Sequence, residues 1–502
     1  MSTTNNRWDV LIRNAAVYDG SGDSPVRADV ALRGDRIAAV GQQLGEEAGT
    51  VLDATGLAVA PGFIDVHSHD DLAVFLTPEM DFKVMQGVTT DVVGNCGMGI
   101  APYQAAGLFF RLLYPDVEVP HWEGYAGYFQ ALERDPPSLN VTALVGHNTL
   151  RFAAMGNAQR APTAEELAQM CAALREGLAA GAIGFSTGLI YEPGRYAQTE
   201  EIVALAGEVA AASGLYTTHM RNEAGGLLES IREAVHIGEV SGIPVQISHH
   251  KASGKENWGR VRDSLRLLEE ARARGVEVTA DQYPYTSGST VLAAVVQNNA
   301  LNEQGIQGGI GRVAPKDILL ASAPRHPEYE GKTLQDLCDQ FGLPAEAAAR
   351  RILEEEGMGV VVVLEGMDEA DVRTVMRHPT TMIGSDGVPA RGAKPHPRLY
   401  GTFPRVLGRY ARTEGLLPLA EAVYRMTGFP ARKFRLRERG FVRAGFYADL
   451  IVFDPATIID TGTYADPRQY PVGVQYVFVN GVPVVREGRH TGARPGRALR
   501  RA

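Results

Sequence analysis

Eight short apolar runs punctuate this chain, and each ends on a polar residue. They are Gly62–His67, Thr89–Cys96, Val141–His147, Ala182–Thr187, Leu215–His219, Val245–His249, Val276–Asp281 and Thr381–Asp386. Helical periods fill several of the intervals. Thr163–Ala180 is one, with Thr163 and Glu166 at capping-box spacing. Glu200–Ala212, Leu227–Val240 and Val261–Arg274 are others, each followed closely by a glycine. Alternating strand and helix over this length predicts a parallel sheet with helical crossovers, and eight strands predict a (β/α)8 barrel. Such a barrel gathers its active site at the C-terminal ends of its strands. Strand ends in His, Cys, Thr and Asp therefore read as parts of one site.

The first sixty residues follow another period. Val10–Ile12, Ala28–Leu32 and Arg36–Val40 are short β-like runs, separated by the turn pairs Asp19-Gly20, Ser21-Gly22 and Gly34-Asp35. β character returns after Arg435 in Ala448–Phe453, Tyr476–Val479 and Val482–Val485, with Asn480-Gly481 as a hairpin turn. The expected architecture is α/β. A TIM-like barrel occupies residues 61–436, and a small β-sandwich domain is built from residues 1–60 plus 437–490. Residues 491–502 carry Arg494, Arg497, Arg500 and Arg501 among glycine and proline, and read as a flexible, solvated tail. One interval breaks the rhythm, because the seventh run ends at Asp281 and the eighth begins only at Thr381. The extra segment, about 288–353, includes a helix at Ala345–Glu356. It follows a strand's C-terminal end, so it is expected on the active-site face as a lid or pocket wall.

Composition narrows the class. The chain has 502 residues, 45% hydrophobic and 22% charged, which suits one large barrel and a smaller domain. A net charge of −10 argues against a nucleic-acid surface. Three cysteines, Cys96, Cys171 and Cys338, make no disulfide framework and fit a reducing compartment. Met1–Asn6 has no signal-peptide core, and the densest apolar run, Val360–Leu364, is too short to span a bilayer. A cytoplasmic, soluble protein with a small-molecule substrate and no membrane partner is expected. Its oligomeric state is not encoded in any feature of this kind.

The strand ends carry metal-ligand chemistry. In His67-Ser68-His69, residues i and i+2 of a strand share a face, so both imidazoles aim at one point. Cys96, between Gly94 and Gly97, offers a thiolate open to close approach, which suits a borderline-soft ion such as Zn2+. His219 and His249 end the fifth and sixth runs, while His250 must point elsewhere, and His236 and His378 read as surface residues. One Cys and two His leave a fourth position open, the layout of a catalytic zinc. Asp386, in Gly384-Ser385-Asp386-Gly387, places a carboxylate where a general base is needed. An isolated HxH pair, a free thiol or a GSDG turn is commonly inert. Their shared position at strand ends is what gives them weight.

At these residues the chain resembles the amidohydrolase superfamily, and more closely the D-aminoacylase (N-acyl-D-amino-acid deacylase) family. The carriers are PGFIDVHSHDD at 61–71, GVTTDVVGNCG at 87–97, GHNTLR at 146–151 and GAIGFSTGLIYEPG at 181–194. THMRNE at 218–223, ISHHK at 247–251, DQYPYTSGST at 281–290, IGSDG at 383–387 and HPRLYGTFPRVLG at 396–408 continue the series in order, and RAGFYADLIVFDP at 443–455 extends it into the β domain. The resemblance implies a zinc deacylase in which a cysteine, here Cys96, fills the position bridging two metals. It implies one tight zinc site at Cys96, His219 and His249, and a possible weaker second site at His67 and His69 sharing Cys96. It implies Asp386 as general base, and Lys251, Tyr283 and Arg398 as anchors of the substrate α-carboxylate, with Ser289 beside them. One stretch departs from the family. Where a Pro/Trp-rich segment is common, this chain reads VLAAVVQNNALNEQG at 291–305.

The expected reaction is zinc-dependent hydrolysis of an N-acyl-D-amino acid to a carboxylate and a free D-amino acid. Pro284 to Gly311 contains neither Arg nor Lys, so a neutral or hydrophobic side chain is expected to be preferred. Arg151, Arg221, Arg312 and Arg325 are the cations placed to alter that reading. The rivals are another amidohydrolase reaction on a D-configured or non-standard amide (a dipeptidase, cyclic-amide or carbamate hydrolase) and, least favoured, a non-catalytic scaffold.

Overall fold

The computed structural model describes residues 7–45, 47–114, 117–118, 120–302, 308–389 and 394–501. Met1–Asn6 and positions 303–307 of the segment after the seventh run lie outside these residues. Eight strands form the barrel: β1 (Phe63–Asp65), β2 (Val88–Val93), β3 (Asn140–Gly146), β4 (Gly184–Gly188), β5 (Leu215–His219), β6 (Val245–Ile247), β7 (Val278–Gln282) and β8 (Thr381–Ile383). Successive strands pair in parallel from β1 to β8. Crossover helices cover the outside. Ala164–Ala180 starts with the capping box expected, Thr163 accepting from the Glu166 amide and Glu166 from the Thr163 amide. The helix Leu227–Ser241 ends on Gly242 at φ +72°, a conformation that glycine adopts without steric cost.

The barrel closes at its upper rim. β1 and β8 share no ladder, but Ser68 and Gly387 form a parallel bridge. The Asp386 amide donates to the His67 carbonyl (2.7 Å) and the His69 amide to the Gly387 carbonyl (3.0 Å). A buried carboxylate reinforces this seam, Asp65 accepting from the Ser385 amide (2.8 Å) and the His67 amide (3.2 Å). The buried ammonium of Lys83 neutralises Asp65 and also pairs with Asp70 at 2.9 Å. Removing one member of such a buried pair typically costs about 3–5 kcal/mol. Lower in the barrel, Ile64, Val92, Leu144, Leu215 and Met382 pack with Phe434 and Phe441 in one apolar cluster. The interior is therefore a filled core below the site.

Both chain ends build one nine-stranded sheet. Ala58–Pro61 pairs antiparallel with Leu450–Phe453, which joins the N-terminal strands to the C-terminal ones. Three of its strands, Ala48–Asp53, Ala58–Pro61 and Arg489–His490, add to those legible in the sequence. The segment after β7 has an antiparallel sheet of its own, Ser287–Val291 and Ile318–Ser322 flanking Val361–Glu365. It therefore runs well past residue 353, because its central strand lies just before the β8 crossover helix Glu369–Arg377. Helices Leu334–Phe341 and Ala345–Glu356 help bury a separate apolar core there.

The C-terminal arm corrects a sequence expectation. Residues 491–501 are docked and do not form a free tail. The Val141 amide donates to the Arg497 carbonyl (2.9 Å), the Leu499 amide to the Val141 carbonyl (2.7 Å) and the Arg501 amide to the Gly181 carbonyl (2.7 Å). Arg497 pairs with Asp35 (2.7 Å), and Arg500 pairs with Glu133 (2.6 Å). The polar composition that suggested solvation satisfies open backbone at the barrel's N-terminal face.

Candidate active site

Three of the site's side chains leave their strand ends through left-handed backbone: Cys96 at φ +53°, His249 at φ +36° and Asp386 at φ +50°. Non-glycine residues in this region cost of order 1–3 kcal/mol each and persist where neighbours fix them. Here the Asp386 amide is held by the His67 carbonyl, and the His249 amide by Asp281 (2.8 Å). Gly94, at φ +82°, and Gly97, at φ +76°, flank Cys96 because a Cβ at either would strike the Leu144 carbonyl or the Asn148 side chain. These turns aim the thiol inward.

The donors converge into two overlapping sets. Cys96, His219 and His249 bring ligand atoms within 4.8 Å of one another, and so do His67, His69, Cys96 and Asp386. Cys96 Sγ lies 3.6 Å from His249 Nε2 and 3.3 Å from His67 Nε2. His249 Nε2 lies 2.9 Å from His219 Nδ1. Tetrahedral bonds of about 2.3 Å to sulfur and about 2.0–2.1 Å to nitrogen set a sulfur and a nitrogen ligand roughly 3.6 Å apart, the separation of Cys96 Sγ and His249 Nε2. A thiolate with two imidazoles is also a donor set that suits zinc. Burial pushes the Cys96 thiol up, yet the charge on His67 and hydrogen bonds from the histidines outweigh it and hold the thiol well below its usual range.

Asp386 stands over the second set, 3.3 Å from His69 Nε2 and 3.5 Å from His67 Nε2, and pairs with Arg398 Nη1 at 2.9 Å. Burial raises its carboxyl, but Arg398 and the surrounding histidines prevail, so it lies well below the usual carboxylate range. Arg398 stacks on the Tyr283 ring at 4.4 Å and donates to the Ser289 backbone carbonyl at 3.4 Å. Lys251 lies 5.9 Å from the centre of the same ring. Both cations thus lie against one ring, and Lys251, Tyr283 and Ser289 line the cavity while Arg398, paired with Asp386, sits behind it.

Other expectations resolve differently. His147 does not join the donors, and instead its Nε2 bonds Glu201 at 2.8 Å beside the buried Arg151–Glu201 pair. Thr187 bonds the Tyr216 and Thr218 hydroxyls, both at 2.8 Å. The third and fourth strand ends therefore supply no ligand. Two acids without a role assigned from sequence are central. Asp281 Oδ1 touches His67 Nδ1 (3.2 Å) and Oδ2 accepts from Gln246 (3.0 Å). Glu223 touches His249, Lys251 and His219. Asp281 was legible as the end of the seventh run, whereas Glu223 lies in a loop after β5 with no periodic signal.

A cavity of about 220 Å³ opens above these donors. Met98, Phe109, Ile310, Val313, Val361 and Leu364 contribute to its apolar wall. Among the described lining residues, Lys251 is the one lysine or arginine. Arg151 is committed to Glu201, Arg221 pairs with Glu233 at 2.9 Å, and Arg325 donates to the Glu355 carbonyl at 3.0 Å.

A model of the amidohydrolase family matches residues 50–300 and 340–485. The chain is 42% identical over 495 residues to the D-aminoacylase of Alcaligenes xylosoxydans xylosoxydans, covering 98% of each chain. The N-acyl-D-glutamate deacylase of Bordetella bronchiseptica was solved with zinc and a phosphonate mimic of the tetrahedral intermediate. It superposes with a TM-score of 0.88 at 40% identity, covering 99% of this chain and 100% of that one. A D-aminoacylase studied for its binuclear metal centre, with one-metal activation and second-metal attenuation, superposes at 0.87 with 38% identity, covering 98% of this chain and 100% of that one. With likeness of this extent in sequence and fold, the chain belongs to the D-aminoacylase, or N-acyl-D-amino-acid deacylase, family of amidohydrolases.

Proposed function

We propose that this protein is a zinc-dependent hydrolase of N-acyl-D-amino acids, releasing a carboxylate and a free D-amino acid, and that it prefers neutral or hydrophobic side chains. The full-length relatives act on this substrate class by name, and the donor set fits their metal. Identity does not choose the side chain, because a D-aminoacylase and an N-acyl-D-glutamate deacylase lie almost equally near, at 42% and 41% identity. The observation that carries the preference is the cavity wall away from the donors, where Met98, Phe109, Ile310, Val313, Val361 and Leu364 are apolar and Lys251 is the one lysine or arginine among the described lining residues.

Cys96, His219 and His249 would hold the tight zinc, and His67 and His69, sharing Cys96, a weaker second ion. When bound, zinc polarises the acyl carbonyl and makes water more acidic. Asp386, ionised and over the second donor set, accepts the proton of the attacking water and returns it to the departing nitrogen. Proton transfer of this kind is typically worth about 10²–10⁴-fold. Lys251, Tyr283 and Arg398 hold the α-carboxylate, and Ser289 braces Arg398 through its carbonyl. A carboxylate fixed at these anchors, with the scissile amide beside Asp386, would admit the enantiomer whose side chain points into the apolar part of the cavity. The test is a panel of N-acetyl-D- and N-acetyl-L-amino acids, hydantoins and dipeptides on zinc-replete protein. Turnover confined to the N-acyl-D compounds supports the reading, and a better hydantoin or dipeptide substrate overturns it.

A further inference from the structure

The two histidines of the tight donor set each turn one ring nitrogen toward that set and the other toward a single carboxylate. His249 presents Nε2 to Cys96 and its Nδ1 to Glu223 Oε1 at 2.9 Å. His219 presents Nδ1 to His249 Nε2, and its Nε2 lies 3.7 Å from Glu223 Oε2. Glu223 Oε1 also accepts from Lys251 Nζ at 2.8 Å. Glu223 is buried at 3% exposure and lines the cavity. Nothing in the reaction outlined above uses it.

We infer that Glu223 is a positioning residue that couples the tight metal position to the substrate anchor. An imidazole whose Nε2 lone pair faces a metal carries its proton on Nδ1. His249 must then donate to Glu223, which fixes the ring plane and the tautomer. Metal-ligating histidines usually make such an outer bond, and losing it typically weakens metal affinity about 10–100-fold. In this chain one carboxylate faces both rings. It also faces Lys251, whose ammonium lies 2.8 Å from His249 Nδ1. With a dication bound, that ammonium is repelled, and Glu223 is the anion beside it that offsets the repulsion. Lys251 also donates to the His249 carbonyl at 3.0 Å, so the lysine and the ligand are tied at two points. Glu223 thus keeps the α-carboxylate anchor over the cavity only while it also orients the ligands. The substrate half of this inference rests on the deacylase reading, and the metal half does not.

The test compares wild type, Glu223→Gln and Lys251→Met, each as the full chain. Zinc affinity is read by competition with a chromogenic chelator, in the absence of substrate. Glu223→Gln is expected to bind zinc about 10–100-fold more weakly, while Lys251→Met, which removes a cation that the metal repels, shows no such weakening. Wild-type zinc affinity in Glu223→Gln overturns the inference. At saturating zinc, KM for an N-acyl-D-amino acid is expected to rise about tenfold in Glu223→Gln, a shift worth about 1.4 kcal/mol, with kcat falling less. A purely structural role for Glu223 moves the unfolding temperature without this split. An unchanged KM overturns the coupling. If Glu223→Gln does not fold, Glu223→Asp is measured under the same criteria. Inactivity of the wild type on every N-acyl-D-amino acid tells against the function and leaves the zinc comparison standing.

Discussion

Single residues in this site sit in strained backbone, and Asp386 shows what that implies. Its φ of +50° suits Asn as well as Asp, since both tolerate the left-handed region better than other side chains. Asp386→Asn should therefore fold, keep its strand-end hydrogen bond to His67 and bind zinc. It cannot accept the proton, so kcat is expected to fall by at least ~10²-fold. Steady-state kinetics with parallel metal analysis reads this, and a zinc-loaded variant with near-wild-type kcat removes Asp386 from the reaction. The same scale explains why HxH and GNCG were informative in the sequence. Period-two geometry and flanking glycines are local properties, and they state where a side chain can point. Glu223 has no such local mark.

At the scale of elements, the segment after β7 supplies much of the cavity wall. Its strands, a helix and a loop place Val291, Ala293, Ala294, Val313, Val361 and Leu364 around the cavity, with no cation among them. An acidic D-side chain buried there would lack a partner, which is costly. N-acetyl-D-leucine is expected to exceed N-acetyl-D-glutamate in kcat/KM by at least ~10-fold, the factor that roughly 1.4 kcal/mol of unpaired burial would give. Measuring both substrates decides it, and a higher value for the glutamate compound refutes the cavity argument. The sequence showed the length and apolarity of this segment. It did not show that Val361–Glu365 is the central strand of its sheet, because the partners on either side lie tens of residues away.

At the scale of the molecule, the two chain ends bind the architecture together from below. The arm at 491–501 runs along the N-terminal side of β3 and β4, and Arg497 ties it to Asp35 of the β domain. Deleting residues 491–502 is expected to lower the unfolding temperature by several degrees, through lost backbone bonds worth about 0.5–1.5 kcal/mol each. The active site lies at the opposite strand ends, so kcat/KM of the folded fraction should stay within about twofold, a change of under 1 kcal/mol. Calorimetry beside kinetics tests both halves. A truncated chain with unchanged unfolding temperature would mean that the arm contributes nothing to stability.

What the sequence by itself determined is the part of the protein governed by short-range periodicity. The eight strand ends, the helices between them and the identity of the converging donors follow from alternation, capping residues and glycine positions, all of which act over a few residues. The tertiary structure alone decided which polar ends meet. It withdrew His147 and Thr187, brought Glu223 and Asp281 behind the ligands, committed Arg151 and Arg221 to Glu201 and Glu233, and docked the basic tail. Those outcomes depend on pairings between residues tens to hundreds of positions apart. A buried charge takes whichever partner the packed fold places beside it, and no local pattern records that choice.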